Sequence, residues 1–415
     1  MNRHDAFERE LTAWFFDTAM PRTPEYTTDI VQATATVRQR PRWAFAERWL
    51  PMTVVAFRRR NVAPFPWRPI ALLAVLAILL VAAAVFAGSR PRLPPPFGLA
   101  ANGLVAYTQD GDILTVDPGT GARAWITSGN EQDREARWSL DGTRLAFLRA
   151  LPLGTPTPVM PAETVVIVDQ AGKVAAKSTP IARIDIDAFA WSPDGRSIAI
   201  GGDSVLSVVD AEAGRVTRLE VGYLDLDVYW RPGDRRELLF HGVTRDGGRG
   251  LVVVDIDDPA AARLLVPEPT EESLRPNGWT PDGRRLVYTS VGEPYAETGA
   301  GLRLHVLDIT TGSHVVIEAG HGHVSNDGSR ILALNAEGPC VVSIEGGHCD
   351  LIARSSRAYE GGFASGVHWA PDDAWILVRD PARPGRAFLL DPSGDSQESP
   401  AWPESGGESW QRRAR

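Results

Sequence analysis

A five-residue phrase that occurs six times is the feature that most constrains the fold of this chain. In its fullest form, at Trp191 to Gly195, it reads Trp-Ser-Pro-Asp-Gly, and successive copies begin 39 to 53 residues apart. Periods of this length are typical of repeated supersecondary units, as in solenoids and propellers. The six copies begin at Trp138, Trp191, Trp230, Trp279, Val324 and Trp369.

Each copy has the composition of a tight turn that leads into a β-strand. Proline fixes φ, aspartate bonds to its own backbone, and glycine accepts a positive φ. An apolar run follows the turn, as at Ile198 to Ile200, and a second strand such as Val205 to Asp210 ends in Asp before another Gly turn. The pattern predicts an all-β repeat in which the tryptophan is a buried structural anchor.

The two ends of the repeat region complete each other. A strand pair at residues 103–117 precedes the first copy without a phrase of its own, and Trp410 lies 41 residues after Trp369, where a seventh copy is due. A ring in which the last strand completes the first blade leaves no open sheet edge. We therefore predict a seven-bladed β-propeller over residues 103–415; a six-bladed ring is the alternative if one irregular unit is an insertion. The predicted anchors are Trp138, Trp191, Trp230, Trp279, Trp369 and Trp410.

The Trp-Ser-Pro-Asp-Gly phrase with its apolar strand resembles the repeat of TolB-type β-propellers. The resemblance covers about residues 100–415 and is carried most closely by Trp191 to Gly195 and Trp279 to Gly283. It implies an all-β, TolB-like propeller that serves as a protein- or ligand-binding or scaffolding module. It implies no activity, because propellers of this type include both partner-binding periplasmic proteins and accessory domains of peptidases.

An uncharged stretch of about twenty residues between Arg68 and Arg90 divides the chain. A helix of this length crosses the hydrocarbon core of a bilayer, and the lack of a polar stripe argues against a buried core helix. We predict a transmembrane helix at residues 69–89, kept as a signal anchor because the preceding segment is too long for a cleaved signal peptide. More arginines precede it than follow it, which places the N-terminus in the cytoplasm and the propeller outside the cytoplasmic membrane.

The remaining segments are a predicted helical cytoplasmic head at residues 1–68 and a Pro-rich linker at residues 90–102. In the head, Phe7, Leu11 and Trp14 recur at helical spacing. A second candidate helix runs from Pro24 to about Arg40. Two short helices bury little apolar surface, so we expect a partner or the membrane surface to stabilise the head. The overall plan resembles that of membrane-bound anti-sigma factors, which implies transmembrane signalling to a cytoplasmic regulator as an alternative function. The zinc-binding His-Cys-Cys pattern of many such heads is absent.

Composition and motifs argue against several functions. The net charge of −9 is unfavourable for binding nucleic acid. The sequence has no Gly-x-Ser-x-Gly nucleophile elbow, no phosphate-binding loop and no dinucleotide fingerprint, so we predict neither an enzyme nor a cofactor. His321 and His323 alternate along a strand in a way that a metal ion can use, but their Gly-rich surroundings favour a structural role. We predict no metal site.

Six acidic residues precede three of the tryptophans in pairs. In a TolB-type blade the strand that leads into the phrase lies innermost, and alternating acids share one face of a strand. We expect them to line one side of the central channel and to bind a cation or a basic peptide. Solvated loops at the rim are one alternative, and a hydrolase that uses channel acids is another. The residues are Asp133, Glu135, Asp185, Asp187, Asp225 and Asp227.

The two cysteines of the chain, Cys340 and Cys349, flank a strand, a Gly turn and a returning strand. A disulfide across this hairpin is a candidate in an oxidising exterior. Two reduced, buried cysteines are the alternative.

Overall fold

The computed structural model divides the chain into two compact units, Met1–Arg90 and Pro91–Arg415. Among the described residues, every β-strand lies in the second unit. The structure describes residues 8, 10–14, 32, 67–88, 93–150, 162–181, 186, 188–233, 235–292, 302–335, 338–352, 367–379, 387–393, 396–398 and 409–415.

The first unit contains a helix, Trp67–Gly88, and a helical stretch at residues 10–14. The structure describes the side chains of residues 71–81 in the longer helix, and all of them are exposed. Among the residues that the structure describes, no helix combines the length and the apolar character that a membrane span requires. Most of the predicted head lies outside the described residues.

Seven four-stranded antiparallel sheets form the second unit, which confirms the seven-bladed ring and rules out six blades. Blade 1 contains β1 (Ala101–Gln109), β2 (Asp112–Val116), β3 (Arg123–Trp125) and β28 (Ser409–Arg413). Blade 2 contains β4 (Gln132–Trp138), β5 (Arg144–Ala150), β6 (Glu163–Asp169) and β7 (Val174–Lys177). Blade 3 contains β8 (Ala188–Trp191), β9 (Ser197–Gly202), β10 (Val205–Asp210) and β11 (Val216–Leu219). Blade 4 contains β12 (Gly222–Trp230), β13 (Glu237–Val243), β14 (Arg249–Asp255) and β15 (Asp258–Pro267). Blade 5 contains β16 (Glu272–Trp279), β17 (Arg285–Gly292), β18 (Leu302–Asp308) and β19 (His314–Ile317). Blade 6 contains β20 (Gly320–Val324), β21 (Arg330–Asn335), β22 (Gly338–Ser343) and β23 (Asp350–Leu351). Blade 7 contains β24 (Val367–Trp369), β25 (Ile376–Arg379), β26 (Ala387–Leu390) and β27 (Ser396–Glu398).

The strand that leads into each phrase is the innermost strand of its blade. These strands contact one another around the ring: β4 contacts β28 and β8, and β12 contacts β8 and β16. The strands at the opposite sheet edge, such as β3 and β7, are largely exposed. The phrase turns therefore lie together on one side of the ring, close to its axis.

The last strand closes the ring as the sequence indicates. β28 pairs antiparallel with β1, with Trp410 opposite Val105. The Gln411 side chain joins the neighbouring blades as well, because its Oε1 accepts from Leu104 N at 3.2 Å and its Nε2 donates to Gly142 O at 2.7 Å. β1 begins at Ala101, slightly before the predicted start of the propeller at residue 103.

Tryptophan joins blades 3 and 4 to the blade before each of them by a hydrogen bond. The indole Nε1 of Trp191 donates to Arg137 O at 2.9 Å, and Trp230 Nε1 donates to Ala190 O at 3.0 Å. In each case the acceptor directly precedes the phrase of the preceding blade. Arg144 of blade 2 also lies over the Trp191 ring, 5.1 Å from its centroid. The repeated tryptophan is thus a joint between blades as well as a core residue.

A disulfide joins Cys340 on β22 to Cys349, just before β23. Both cysteines are buried in the apolar cluster between blades 5 and 6.

The aspartates of the phrase turns are held as carboxylates. A serine or threonine hydroxyl donates to each, as Ser192 Oγ does to Asp194 Oδ1 at 2.6 Å. Burial favours the neutral acid, but these hydroxyls, the backbone N–H groups and nearby arginines outweigh it and lower the pKa of each carboxyl below its usual 3.8. The residues concerned are Asp141, Asp194, Asp282 and Asp327.

We predict that the free energy of unfolding falls as the pH drops below about 4. A carboxyl whose pKa is lowered by folding contributes stability above its unfolded pKa, and loses it as the pH falls through its folded pKa. Urea unfolding at a series of pH values measures the fall. The Asp194→Asn variant should show a shallower fall than the unaltered chain; equal slopes would contradict the assignment.

Candidate functional site at the ring axis

The structure buries one of the three predicted acids whose side chains it describes. Asp133 on β4 is 1% exposed, and its two carboxylate oxygens accept from Arg149 Nε and Nη2, each at 2.7 Å. Arg149 lies directly opposite on β5. This carboxylate is already engaged inside the blade.

A β-bulge separates Glu135 from Asp133. The register of β4 shifts between Arg134 and Arg137, and Glu135 has a φ of 55°. As a result Ala136, and not Glu135, follows Asp133 on the buried face. The Glu135 carboxylate is about a third exposed and pairs with Arg137 at 2.8 Å. The two acids therefore do not share one face, contrary to the expectation from simple alternation.

The other four acids are only partly visible. Asp185, Asp187 and the side chain of Asp225 lie outside the described residues. Asp227 is exposed on β12, within a second register shift between Tyr223 and Val228. Burial, and after it the negative charge of Asp227, raises the pKa of Tyr229 well above its usual value. The acidic channel lining stays a prediction.

Histidines occupy the inner strands of blades 6 and 7. His321 has a φ of 54° three residues before Val324, as Glu135 has three residues before Trp138, so the same bulge recurs. The rings of His323 and His368 lie edge to face with their centroids 6.4 Å apart. Burial, and after it the charge of His321, lowers the pKa of His323 to about 4, so this imidazole is neutral at pH 7. In the described part of the chain, no three His, Cys, Asp or Glu side chains are placed to hold a metal ion.

Consecutive phrases that depart from the consensus meet in a polar cluster near the axis. Asn326 replaces proline in the fifth copy, and Asp373 replaces glycine in the sixth with a φ of 58°. The Asp373 carboxylate accepts from Asn326 N at 2.8 Å, from Asn326 Nδ2 at 2.7 Å and from Asp327 N at 2.7 Å. A proline at position 326 would have no N–H to donate to the Asp373 carboxylate. The replacement of proline in the fifth copy and the replacement of glycine in the sixth therefore depend on each other.

Arg412 of blade 1 completes this cluster, which we call the axial cluster (Asn326, Asp373 and Arg412). Its Nη1 donates to Asn326 Oδ1 at 2.7 Å, and its Nη2 donates to the carbonyl oxygens of Pro95 and Gly98. Asn326 belongs to blade 6, and blade 7 lies between blade 6 and blade 1. Arg412 and Asn326 can therefore meet only near the axis, where the inner strands converge. Three successive departures from the phrase mark this cluster in the sequence, although we predicted no site there.

A serine and two histidines form a hydrogen-bonded series on blade 5. Ser290 Oγ lies 2.9 Å from His305 Nε2, and His305 Nδ1 lies 3.0 Å from His314 Nε2. Burial, followed by the charge of His314, lowers the pKa of His305 to about 4, which keeps it neutral. The order nucleophile, base, orienting group is that of activated serines. Ser290 is only 2% exposed, however, so its hydroxyl is not open to a substrate.

Comparisons with known proteins support the fold alone. No known family and no curated protein matches the chain. Among solved structures, the tricorn protease is 13% identical with a TM-score of 0.53, over 74% of this chain and 34% of that one. The oligogalacturonate lyase of Vibrio parahaemolyticus is 14% identical with a TM-score of 0.50, over 72% and 92%. TolB of Acinetobacter baumannii is 15% identical with a TM-score of 0.42, over 74% and 81%. At these identities the shared feature is a β-propeller.

We predict that Asp133→Asn lowers the free energy of unfolding by about 3 kcal/mol, because it leaves the partly buried Arg149 without its counter-charge. Urea unfolding of the full chain measures the loss. The matched control is Glu135→Gln. The Glu135 carboxylate and its partner Arg137 are each about a third exposed, so this variant should change the free energy of unfolding by less than about 1 kcal/mol. Equal effects of the two variants would show that the Asp133 pair has no special structural role.

Proposed function

We propose that this protein is a membrane-anchored β-propeller that binds a protein or peptide partner outside the cytoplasmic membrane. The observation that carries the proposal is a closed seven-bladed ring whose inner strands present charged and polar side chains around the axis. A closed ring holds such groups rigidly, which suits recognition. In the described part of the chain, the one series with catalytic order has a buried serine.

The proposed partner carries a basic segment. Asp185, Asp187, Asp225 and Asp227 precede the phrases of blades 3 and 4, and residues 93–415 have a large excess of acidic side chains. Opposite charges accelerate encounter and fix the orientation of a partner. Blades 6 and 7 contribute the neutral histidine His323 and its neighbour His368 instead, so the acidic side of the ring is the one that fits a basic peptide.

The proposed anchor rests on the sequence of the segment at residues 69–89. Its uncharged length matches a bilayer, and the arginines before it favour a cytoplasmic N-terminus. The described side chains of the helix, Leu72 and Ile78 among them, are apolar and exposed, which suits a lipid surrounding.

Membrane anchoring predicts that the full chain stays in the membrane pellet after carbonate extraction. It also predicts that alkaline phosphatase fused after residue 415 is active, since that enzyme matures only outside the cytoplasm. The control is a chain that lacks residues 69–89, which should be found in the soluble fraction with an inactive fusion. A full chain that washes off with carbonate would contradict the anchor.

Recognition of a basic segment predicts that a double variant, Asp185→Asn with Asp187→Asn, weakens binding of an Arg- and Lys-rich peptide about tenfold, which corresponds to about 1.4 kcal/mol. Fluorescence anisotropy with the full chain in detergent measures the affinity. The matched control is Glu220→Gln, an exposed acid outside the six candidates. Unchanged affinity in the double variant would remove the acids from the binding site. Peptide hydrolysis that the same double variant abolishes would overturn the binding function in favour of a hydrolase.

Transmembrane signalling is the second candidate, favoured by the plan of head, span and exported domain. In this function the propeller senses a ligand and residues 1–68 hold a cytoplasmic regulator. A pull-down with residues 1–68 that recovers no sigma factor or other cytoplasmic regulator would exclude it.

A further inference from the structure

The segment that enters the propeller is bound to the ring on the side of the phrase turns. We call residues 93–100 the strap. At its end, Ala100 N donates to Pro371 O of blade 7 at 2.8 Å. The next residues extend this attachment, because Asn102 Nδ2 donates to Asp372 Oδ2 at 2.8 Å and Asp372 N donates back to Asn102 Oδ1 at 3.2 Å. The strap therefore lies across the joint between blades 7 and 1.

Arg412 holds the middle of the strap. Its Nη2 donates to the carbonyl oxygens of Pro95 and Gly98, while its Nη1 is anchored on Asn326 of the axial cluster. Arg412 is only 8% exposed. One side chain of blade 1 thus ties the strap to the phrase turn of blade 6.

This attachment is held by a buried charge without an ion pair. All the acceptors of the Arg412 guanidinium are neutral oxygens, and within the described part of the chain no carboxylate forms a salt bridge with it. A buried ion gains little net stability even when it is paired, because it has lost its water. Burial lowers the pKa of Arg412 to about 10, although the charge of the Asp373 carboxylate acts in the opposite direction. Release of the strap would return water to the guanidinium, which offsets part of the free energy lost with the bonds to Pro95 and Gly98.

A cavity of 590 Å³ lies beside the strap and gives a ligand access to it. Leu93 and Pro94 of the strap form part of its wall, with Arg412 next to them. The rest comes largely from blade 2, including Thr143 and Gln170. A molecule in this cavity contacts the strap, the blade and the arginine at once, so it can favour one state over the other.

We propose that the strap and Arg412 form a latch that sets the length of the tether between the propeller and the segment before it. In the latched state the strap is part of the ring. In the released state its eight residues become free chain and add up to about 26 Å of reach. The latch itself is a property of the propeller; only its effect on distance from a bilayer rests on the proposed membrane anchor.

Hydrogen–deuterium exchange of the full chain in detergent tests the latch. Arg412→Met keeps the length of the side chain and removes its donors. The Ala100 amide, which the latched strap bonds to Pro371 O, should then exchange at least about tenfold faster within the peptide covering residues 93–104. The matched control is Arg413→Met, an exposed neighbour that should leave this exchange unchanged. Peptides from β13 and β14 should exchange as in the unaltered chain, which reports that the ring is intact. Unchanged exchange at residues 93–104 in Arg412→Met would overturn the latch.

A second variant covers the case in which Arg412→Met does not fold. Asn102→Ala removes only the reciprocal bonds to Asp372 and should accelerate exchange of the strap while exchange in β13 and β14 is unchanged. Protection of the strap equal to that of the unaltered chain would again overturn the latch.

The effect on distance is measured in vesicles, by energy transfer from a dye on the propeller to a dye in the lipid. Arg412→Met should transfer less efficiently than Arg413→Met if release lengthens the tether. Failure of the full chain to float with vesicles would overturn the membrane anchor and leave the exchange result to decide the latch.

Discussion

The packing of the phrase tryptophan between its own blade and the preceding one is the interaction on which the ring depends. Trp191 and Trp230 each donate to the residue just before the phrase of the preceding blade, and Trp369 Nε1 donates to His323 O in the same way at 2.9 Å. One residue type therefore fills the core of its own blade and contacts the preceding one. The three hydrogen bonds join blades 2, 3 and 4 in series and blade 7 to blade 6.

Much of the fold could be predicted because it rests on this repeated unit. The period of the phrase gave the number of blades, and Trp410, appearing on schedule, gave the closure by β28. The site was less accessible to sequence reasoning. Strict alternation placed Asp133 and Glu135 on one face, but a bulge with positive φ at Glu135 moves the second acid off that face. Which residue bulges is decided by packing against neighbouring blades, and a strand pattern does not record it.

Departures from the consensus proved to be the better guide to the axis. Taken one at a time, Asn326, Asp373 and Arg412 look like random departures from the consensus phrase. In the structure the Asp373 carboxylate, which stands in place of a glycine, accepts from the N–H of Asn326, which a proline at that position would lack. Arg412, from a third blade, donates to the same asparagine. Such compensation links positions in different copies, so it becomes visible only when the blades are brought together. These are also the residues that attach the entering segment to the ring.

The pairing of β28 with β1 also sets the order of events in biosynthesis. Blade 1 lacks its innermost strand until residues 409–413 have been made, and until then Val105 and its neighbours on β1 have no partner on that side. The first blade to be synthesised is thus the last to be completed. Six blades can assemble while the chain is still emerging, but the finished surface around the axis, including Arg412, exists only afterwards. A ring built in this way cannot present its complete axial surface before its own synthesis has passed residue 413.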